Sequence, residues 1–380
     1  MKIAGIICEY NPFHNGHKYQ IELAKKTHGA VVCIMSGSFV QRGDAAIYDK
    51  WTRAHAALCS GADLIIELPV RYCLSSAQGF ARGAVETLDA AGIIDTLFFG
   101  SESENLQKLL HAADVMLHEP ASVSAEIKRL TAEGMGFAAA RECAYDGLID
   151  GSLLSSPNNL LAVEYICSLM RIGSKISPVT HGRTVGYHDS GHDGAYASAT
   201  LVREKIKSSE DFSHFVPYDY SGYEKYDINR LSDIFRYRMI TEKEQLFCGI
   251  PDIEPGLDNR FLKSAHCRTI DETVDFVSSK RHTKSRIRRI IASSLLNLRG
   301  GYRPPEYIRV LGMNETGREI LGTMRKTCSL PVINKTADFD TPMLREDILA
   351  ANVAALCADK TVPQNRDFLT SPVVIKAACE

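Results

Sequence analysis

Two histidines flank a glycine near the start of the chain, in the sequence His14-Asn15-Gly16-His17. If a helix begins near His17, this spacing puts both imidazoles on one side of its first turn. The N–H groups of that turn and the positive end of the helix dipole point to the same place. Gly16 has no Cβ, so a phosphate or a flat base can approach the backbone closely. The motif therefore predicts an anion site in which the histidines act as hydrogen-bond donors.

The same two histidines allow two other interpretations. Loop histidines that make only local hydrogen bonds are the main alternative. A zinc site is less favoured, because no third ligand of Cys, Asp or Glu type has a recognisable spacing nearby.

A second group of polar residues suits the same chemistry. The stretch 196–206 places Ser198 and Thr200 at the start of a predicted helix and Arg203 one turn later. Hydroxyl groups at a helix N-terminus, followed by an arginine, can bind a polyphosphate. A surface helix that is merely capped by Ser198 is the alternative. The two motifs together favour a phosphate-binding function.

Both motifs lie in a region where strand and helix patterns alternate. Apolar runs at 3–8, 30–35, 62–70 and 93–100 predict strands, and helical patterns lie between them. Strands that are apolar almost throughout belong in a parallel sheet covered on both faces. The predicted fold class is α/β, a Rossmann-like doubly wound parallel sheet whose ligands bind at the carboxyl ends of the strands.

The pattern changes along the chain and predicts two domains. We place the first at 1–215, with a helical insertion at about 104–150. After about residue 215 the apolar periodicity becomes helical, at 228–241, 270–279, 283–298 and 343–358. We therefore predict a mainly helical C-terminal domain at 216–380.

Basic residues are concentrated in one part of a chain whose formal net charge is −2. Residues 280–310 contain nine basic residues and one acidic residue, a net charge of +8. Such a patch favours a polyanion, since each neutralised phosphate releases a counterion, although a solvated face is the alternative. Tyr302 and Tyr307 suit either stacking on unpaired bases or packing in a core. The candidate contacts are Lys280, Arg281, Lys284, Arg286, Arg288 and Arg289.

Neither the N-terminus nor the hydropathy suggests a membrane protein. The chain starts with a short apolar strand and lacks the basic region and apolar stretch of a signal peptide. No run approaches the roughly 18 apolar residues of a membrane span. We therefore expect a cytoplasmic protein without a membrane partner.

The two motifs resemble those of a known superfamily. The H-x-G-H sequence at 14–17 and the stretch Ser198-Ala199-Thr200-Leu201-Val202-Arg203 are similar to the H-x-G-H and I-S-S-T-x-x-R motifs of nucleotidyltransferases. That superfamily includes class I aminoacyl-tRNA synthetases and adenylyltransferases. Ala197 and Ala199 stand where it usually has Ile and Ser, so one hydroxyl contact of the pattern is absent here.

Longer stretches narrow the resemblance to the bacterial tRNA(Met) cytidine acetate ligase family, from residue 3 to about residue 324. The most specific stretch is SGSFVQRGDAAIYDKWTRA at 36–54, which adenylyltransferases in general do not share. The others are GIICEYNPFHNGHKYQI, SPNNLLAVEYI, GLDNR and YIRVLGMNETGREIL.

This resemblance implies an enzyme that activates acetate with ATP as acetyl-adenylate. The acetyl group would then pass to N4 of the wobble cytidine of elongator tRNA(Met), which the second domain would bind. His14, His17 and Arg203 would be the catalytic donors, and Gln41, Arg42, Asp44 and Lys50 are candidates for acetate or base recognition. ATP would carry Mg²⁺, and the sequence identifies no protein ligand for it. The expected ATP contacts are Ile7, Cys8, Glu9, Tyr10, Asn11, Pro12, Phe13, His14, Asn15, Gly16, His17, Lys18, Gly100, Asn159, Arg183, Ser198, Thr200 and Arg203.

Two other functions fit parts of the sequence. An adenylyltransferase acting on a small phosphorylated metabolite needs the same ATP site, but it leaves residues 216–380 and the basic stretch without a purpose. A tRNA-binding or chaperone-like module with a vestigial nucleotide pocket is disfavoured by the intact set of His14, Gly16, His17 and Arg203.

Overall fold

The structure is a computed structural model that describes residues 1–182 and 192–376. Five parallel strands form its centre. They are β1 (Ile3–Cys8), β2 (Ala30–Ser36), β3 (Leu64–Leu68), β4 (Thr96–Ser101) and β5 (Ser177–Gly182). They lie in the order β3-β2-β1-β4-β5, so the chain order reverses between β1 and β4. Ligands of doubly wound sheets bind at this switch point, outside the carboxyl ends of the strands. The predicted Rossmann-like fold class is confirmed.

Helices connect these strands and cover the sheet. They are α1 (Asn15–Lys25), α2 (Lys50–Cys59), α3 (Val70–Cys73), α4 (Ala77–Ala90), α5 (Leu106–Leu117), α6 (Ala121–Ala132), α7 (Phe137–Ala144), α8 (Ser152–Ser155), α9 (Pro157–Ile172) and α10 (Ala199–Lys207). The helical insertion expected at about 104–150 contains α5, α6 and α7. A short antiparallel pair, β6 (His192–Asp193) and β7 (Tyr196–Ala197), precedes α10.

The sheet is buried on both faces, as its apolar strands predict. All seven residues of β2 are buried. Val32 and Ile34 belong to the core on the side of α4 and α9, whereas Val31 and Cys33 belong to the core on the side of α1 and α2. This alternation follows from the two-residue repeat of a strand and explains why no polar face is needed in β2.

The third apolar core belongs to a helical segment that follows α10. Its helices are α11 (Ser232–Glu242), α12 (Leu257–Lys263), α13 (Ile270–Val277) and α14 (Lys284–Leu295). Phe235, Phe247 and Phe261 pack against one another in this core, which also buries the apolar side of α14. Helices thus lie where the sequence predicts them at 228–241, 270–279 and 283–298.

The last part of the chain returns to the first sheet. The predicted division into domains at 1–215 and 216–380 does not include this return. Strand β8 (Ile308–Met313) pairs antiparallel with β3, and β9 (Val332–Ile333) and β10 (Val373–Val374) both pair with β8. Helices α15 (Glu315–Thr327), α16 (Pro342–Ala355) and α17 (Arg366–Leu369) accompany these strands. Pattern alone cannot tell which sheet a late strand joins, because the pairing partner is hundreds of residues away. The sheet therefore has eight strands drawn from both predicted domains.

Within the described residues, none of the helices has the length and apolar character that crossing a bilayer requires.

Candidate functional site

His14 and His17 lie at the N-terminus of α1, directly after the carboxyl end of β1. His14 is the N-cap residue, and its Nδ1 accepts a hydrogen bond from the backbone N–H of Gly16 at 3.1 Å. Nδ1 of His17 accepts the backbone N–H of His14 at 3.3 Å. Two imidazoles thus take the places of the Ser or Thr and the Glu or Gln of an ordinary capping box. Their ring centroids are 3.7 Å apart, with the planes tilted by 27°.

This capping arrangement decides which nitrogen of each histidine can donate. A neutral imidazole has one N–H group and one acceptor nitrogen. Because both Nδ1 atoms accept backbone N–H groups, the neutral rings carry their protons on Nε2. The two Nε2–H groups are donors at a helix N-terminus that already favours an anion. The geometry suits the donor role predicted for His14 and His17.

Arg203 reaches the same loop from α10. Ser198 caps that helix, since its Oγ accepts the backbone N–H of Leu201 at 3.2 Å. The Arg203 guanidinium donates to the carbonyl oxygen of Asn11 at 2.7 Å and to Oγ1 of Thr200 at 3.1 Å. The structure therefore brings the two sequence motifs together at the carboxyl end of β1.

A carboxylate stands beside these cations. Oε1 of Glu9, which follows β1, accepts the backbone N–H of Gln41 at 2.6 Å. Burial raises the pKa of Glu9, while the Gln41 N–H and the charges of Arg203 and Arg42 act in the opposite direction. Burial, and then the charge of Arg42, lower the pKa of Arg203. The guanidiniums of Arg203 and Arg42 beside this carboxylate are groups that suit a polyphosphate.

Arg53 is a site residue that the sequence interpretation missed. It lies on α2 with no exposed surface, and within the described residues its side chain donates to four backbone carbonyl oxygens. These belong to Glu9 at 2.6 Å, Ser36 at 2.9 Å, Tyr48 at 3.0 Å and Gly37. Arg53 therefore ties the loop after β1 to the loop after β2. The available signal was an arginine among small apolar residues on one helix face, in WTRAHAA.

Two of the predicted ATP contacts, Gly100 and Asn159, lie across the switch point from α1. Gly100 lies in β4, opposite His181 of β5. Asn159 is buried in the first turn of α9, where its Oδ1 accepts the backbone N–H of Ser103 at 2.9 Å. Both residues are thus at the carboxyl end of β4. Arg183 lies outside the described residues.

Three of the four candidates for acetate or base recognition lie near the site. They belong to the loop at 37–49, which joins β2 to α2. Gln41 and Arg42 are beside Glu9, and Asp44 contributes to the local charge felt by Arg203. The tip of this loop therefore lies beside Glu9 and Arg203.

The prediction for Lys50 is wrong. Its side chain is 1% exposed, and its Nζ pairs with Glu67 at 2.7 Å and with Asp367 at 2.6 Å. Arg309 contacts the same two carboxylates. An ammonium group that is enclosed and paired twice is not available to a substrate, so Lys50 belongs to a buried ionic cluster that joins β3 to the end of the chain.

Five of the basic residues of α14 and its preceding loop pair with carboxylates from other segments. Arg281 and Arg286 pair with Glu254 at 3.0 and 2.8 Å, and Lys284 pairs with Asp275 at 2.6 Å. The net charge of +8 counted along residues 280–310 is therefore not the charge of the folded surface.

Arg288 and Arg289 also pair with carboxylates of other segments. Arg288 bridges Asp44 at 2.8 Å and Asp271 at 2.5 Å. Arg289 is 8% exposed and lies 3.5 Å from Asp252. Burial makes Arg289 unsuited to the predicted contact with a polyanion.

The two tyrosines near this stretch are packing residues. Tyr307 has no exposed surface and donates to a carboxylate oxygen of Asp347. The Arg82 guanidinium lies 3.6 Å from the ring centroid of Tyr302, and the Tyr302 hydroxyl donates to Glu86. Of the two roles left open by the sequence, packing is the one observed.

No cluster of metal-ligating side chains is found within residues 1–182 and 192–376. No three side chains of His, Cys, Asp or Glu come together there in a way that could hold an ion. That ATP arrives with Mg²⁺ stays a prediction.

Comparison with known proteins gives one family over nearly the whole chain. Residues 1–367 match the family described as HIGH Nucleotidyl Transferase. The tRNA(Met) cytidine acetate ligase of Thermoanaerobacter sp. (strain X514) is 37% identical over 97% of this chain and 98% of its own. That of Clostridium novyi (strain NT) is 36% identical over 99% and 100%. The crystal structure of Thermotoga maritima TmcAL bound with alpha-thio ATP is 30% identical, with a TM-score of 0.89 over 99% of this chain and 100% of that one.

Proposed function

This chain belongs to the HIGH nucleotidyl transferase family and, within it, to the tRNA(Met) cytidine acetate ligases, and we propose that it acetylates tRNA with acetate and ATP. The product is N4-acetylcytidine at the wobble position of elongator tRNA(Met). The observation that carries the proposal is the meeting of His14, His17 and Arg203 at the carboxyl end of β1. The use of ATP is supported by the related Thermotoga maritima structure, which was solved with alpha-thio ATP.

In the first step, a carboxylate oxygen of acetate attacks the α-phosphorus of ATP. The bond to the leaving pyrophosphate breaks, and acetyl-adenylate forms. Negative charge moves onto the phosphate oxygens, so the step needs fixed donors rather than a nucleophilic side chain. We assign this role to Nε2–H of His14 and His17, to the N–H groups of the first turn of α1 and to Arg203.

In the second step, the N4 amine of cytidine attacks the acetyl carbon. The bond between the acetyl carbon and the AMP oxygen breaks, AMP leaves, and N4 loses a proton. The exocyclic amine of cytidine is a weak nucleophile, which explains why acetate must first become a mixed anhydride. We place the acceptor base and the acetyl group beside Gln41 and Arg42, at the tip of the loop next to Glu9.

For the tRNA, we propose contacts from the exposed cations at the start of α14 and in the loop before it. Lys280 is exposed, and more than half of the side-chain surface of Arg281 and of Lys284 is exposed. Exposed ion pairs contribute little stability in water, so phosphate can displace their carboxylate partners. Arg286 extends this surface from the next turn, with a side chain that is 20% exposed.

The test is to incubate the protein with ATP, radiolabelled acetate and tRNA(Met). We expect label in the RNA only when both ATP and tRNA are present, and none in tRNA(Met) whose wobble cytidine is replaced by uridine. Absence of label from functional tRNA(Met) would exclude the ligase. A parallel reaction with α-labelled ATP and a small phosphorylated metabolite, in place of acetate and tRNA, tests the alternative. Labelled AMP joined to the metabolite would identify an adenylyltransferase.

A further inference from the structure

The loop at 37–49 lies between the ATP site and the helical segment. On the ATP side, the backbone N–H of Gln41 binds Glu9 at 2.6 Å and that of Ile47 binds Oδ1 of Asn11 at 2.7 Å. Glu9 and Asn11 belong to the stretch that leads into His14. The position of the loop is therefore coupled by direct hydrogen bonds to the chain that carries the catalytic histidines.

On the other side, α14 holds the tip of the same loop. The Arg288 guanidinium bridges Asp44, on the loop, and Asp271, at the start of α13, at 2.8 and 2.5 Å. Asp271 is itself held by Asn229, whose amide donates to its Oδ2 at 2.8 Å. Burial by itself would lower the pKa of Arg288, but the charges of Asp44 and Asp271 outweigh burial and raise this pKa. Arg288 thus remains charged and joins the loop to the framework of the helical segment.

The backbones of the loop and of α14 are also in contact. Gly43 has a φ of +85°, and a Cβ at this position would come within 2.4 Å of the backbone nitrogen of Arg289. Glycine is therefore needed both for the conformation and for the close approach. Arg289 donates to the carbonyl oxygen of Gln41 at 3.4 Å, and the N–H of Gln41 is the group that binds Glu9.

We propose that Arg288 is a positioning residue for acetate activation, which it supports by holding the loop at 37–49 against the ATP site through Asp44. The proposal rests on the proposed function and extends it, because it assigns a role in the first, tRNA-independent step to a residue of the helical segment. It also replaces the role in RNA binding that the sequence predicted for Arg288.

The test measures acetate-dependent exchange of pyrophosphate into ATP, without tRNA. Arg288→Gln should lower kcat for exchange by roughly tenfold or more, since small displacements of positioned groups have effects of this size. The KM for ATP should change much less, because Arg288 does not touch the histidine loop. Asp44→Asn should give the same loss, and the double variant should lose little more, because both changes remove one interaction. Arg288→Lys should recover part of the exchange activity, since Lys keeps the charge.

The matched control is Arg236→Gln. Arg236 lies in the same helical segment and pairs with Asp233 at 3.1 Å, within its own helix. We expect wild-type exchange from this variant and melting temperatures near wild type for both single variants. The proposal is overturned if Arg288→Gln exchanges pyrophosphate normally and only binds tRNA more weakly, or if the losses from Arg288→Gln and Asp44→Asn are additive. Absence of exchange in the wild-type protein would instead refute the proposed function.

Discussion

At the scale of single residues, the two histidines serve the fold and the proposed chemistry with different atoms. Each Nδ1 is used by the helix cap, which leaves the N–H of the neutral ring at Nε2. His14 is 7% exposed, so its position is set by the protein rather than by solvent. A proposed donor that also caps its own helix is held in place by that cap.

We predict that His17→Ala lowers the rate of acetate-dependent pyrophosphate release by about a hundredfold or more, because a fixed donor to the developing charge is lost. Binding of tRNA should persist, since the proposed tRNA contacts lie on α14 and the loop before it, whereas His17 lies on α1. Stopped assays of pyrophosphate release and filter binding measure the two effects. His28→Ala, beyond the other end of α1, is the control and should behave as wild type. Loss of both activities in His17→Ala would mean that the fold had failed.

Asp347 is a second residue whose environment makes a prediction. Burial, and then the charge of Glu67, raise its pKa to about 8. Between the unfolded pKa near 4 and the folded value, the native state holds a proton that the unfolded state has released. The contribution of Asp347 to the free energy of unfolding therefore falls as pH rises through this range.

Asp347→Asn should remove that contribution and flatten the dependence of stability on pH between about 5 and 8, by at most about 1.4 kcal/mol per pH unit. Urea unfolding at several pH values measures it. Asp340→Asn is the control, because pairing with Arg345 lowers the pKa of Asp340 and moves its influence below this range. A slope that Asp347→Asn leaves unchanged would contradict the assignment.

At the scale of elements, the site depends on two helix N-termini that meet after β1. Helix α10 begins at its cap, Ser198, and brings Arg203 one turn later to the carbonyl oxygen of Asn11. The placement of Arg203 is therefore a consequence of where α10 starts. We expect loss of the cap to fray the first turn and to move the guanidinium.

We predict that Ser198→Ala and Thr341→Ala lower stability by a similar amount, about 1 kcal/mol each, but only the first affects catalysis. The two caps are matched, since each hydroxyl accepts a backbone N–H at 3.2 Å, that of Leu201 and that of Leu344. Ser198→Ala should also raise the KM for ATP several-fold, whereas Thr341→Ala should not. Equal kinetics in the two variants would show that the start of α10 does not position the site.

At the scale of the whole molecule, the last part of the chain packs against the sheet that the first part forms. Strand β8 pairs with β3, and Arg309 of β8 meets Glu67 of β3 in the ionic cluster that also contains Lys50 and Asp367. Each ion in this cluster is buried, so each depends on partners from distant segments.

We predict that Arg309→Met destabilises the protein by about 3–5 kcal/mol, because it leaves two buried carboxylates with one ammonium partner. Arg345→Met, which removes a guanidinium that pairs with Asp340 at the surface, should melt near the wild-type temperature. Thermal unfolding followed by circular dichroism compares the two. Similar melting temperatures would indicate that the cluster contributes no more than a surface pair.

The sequence by itself determined the local features. The alternation of apolar strands with helices predicted the parallel sheet, and the His-Asn-Gly-His turn with the Ser198 helix predicted the phosphate site, because repeat patterns and caps depend on residues within a few positions. Longer stretches predicted the family, which the comparisons confirm.

Only the tertiary structure decided which charges are available. Lys50 and Arg288 have the residue types of substrate ligands, but Glu67, Asp367, Asp44 and Asp271 take up their charges. Likewise, only the fold shows that β8 extends the first sheet and that α14 reaches the loop at 37–49. The physical reason is the same in each case: the free energy of a charge or of a strand edge depends on the groups that surround it, and these come from segments far away along the chain.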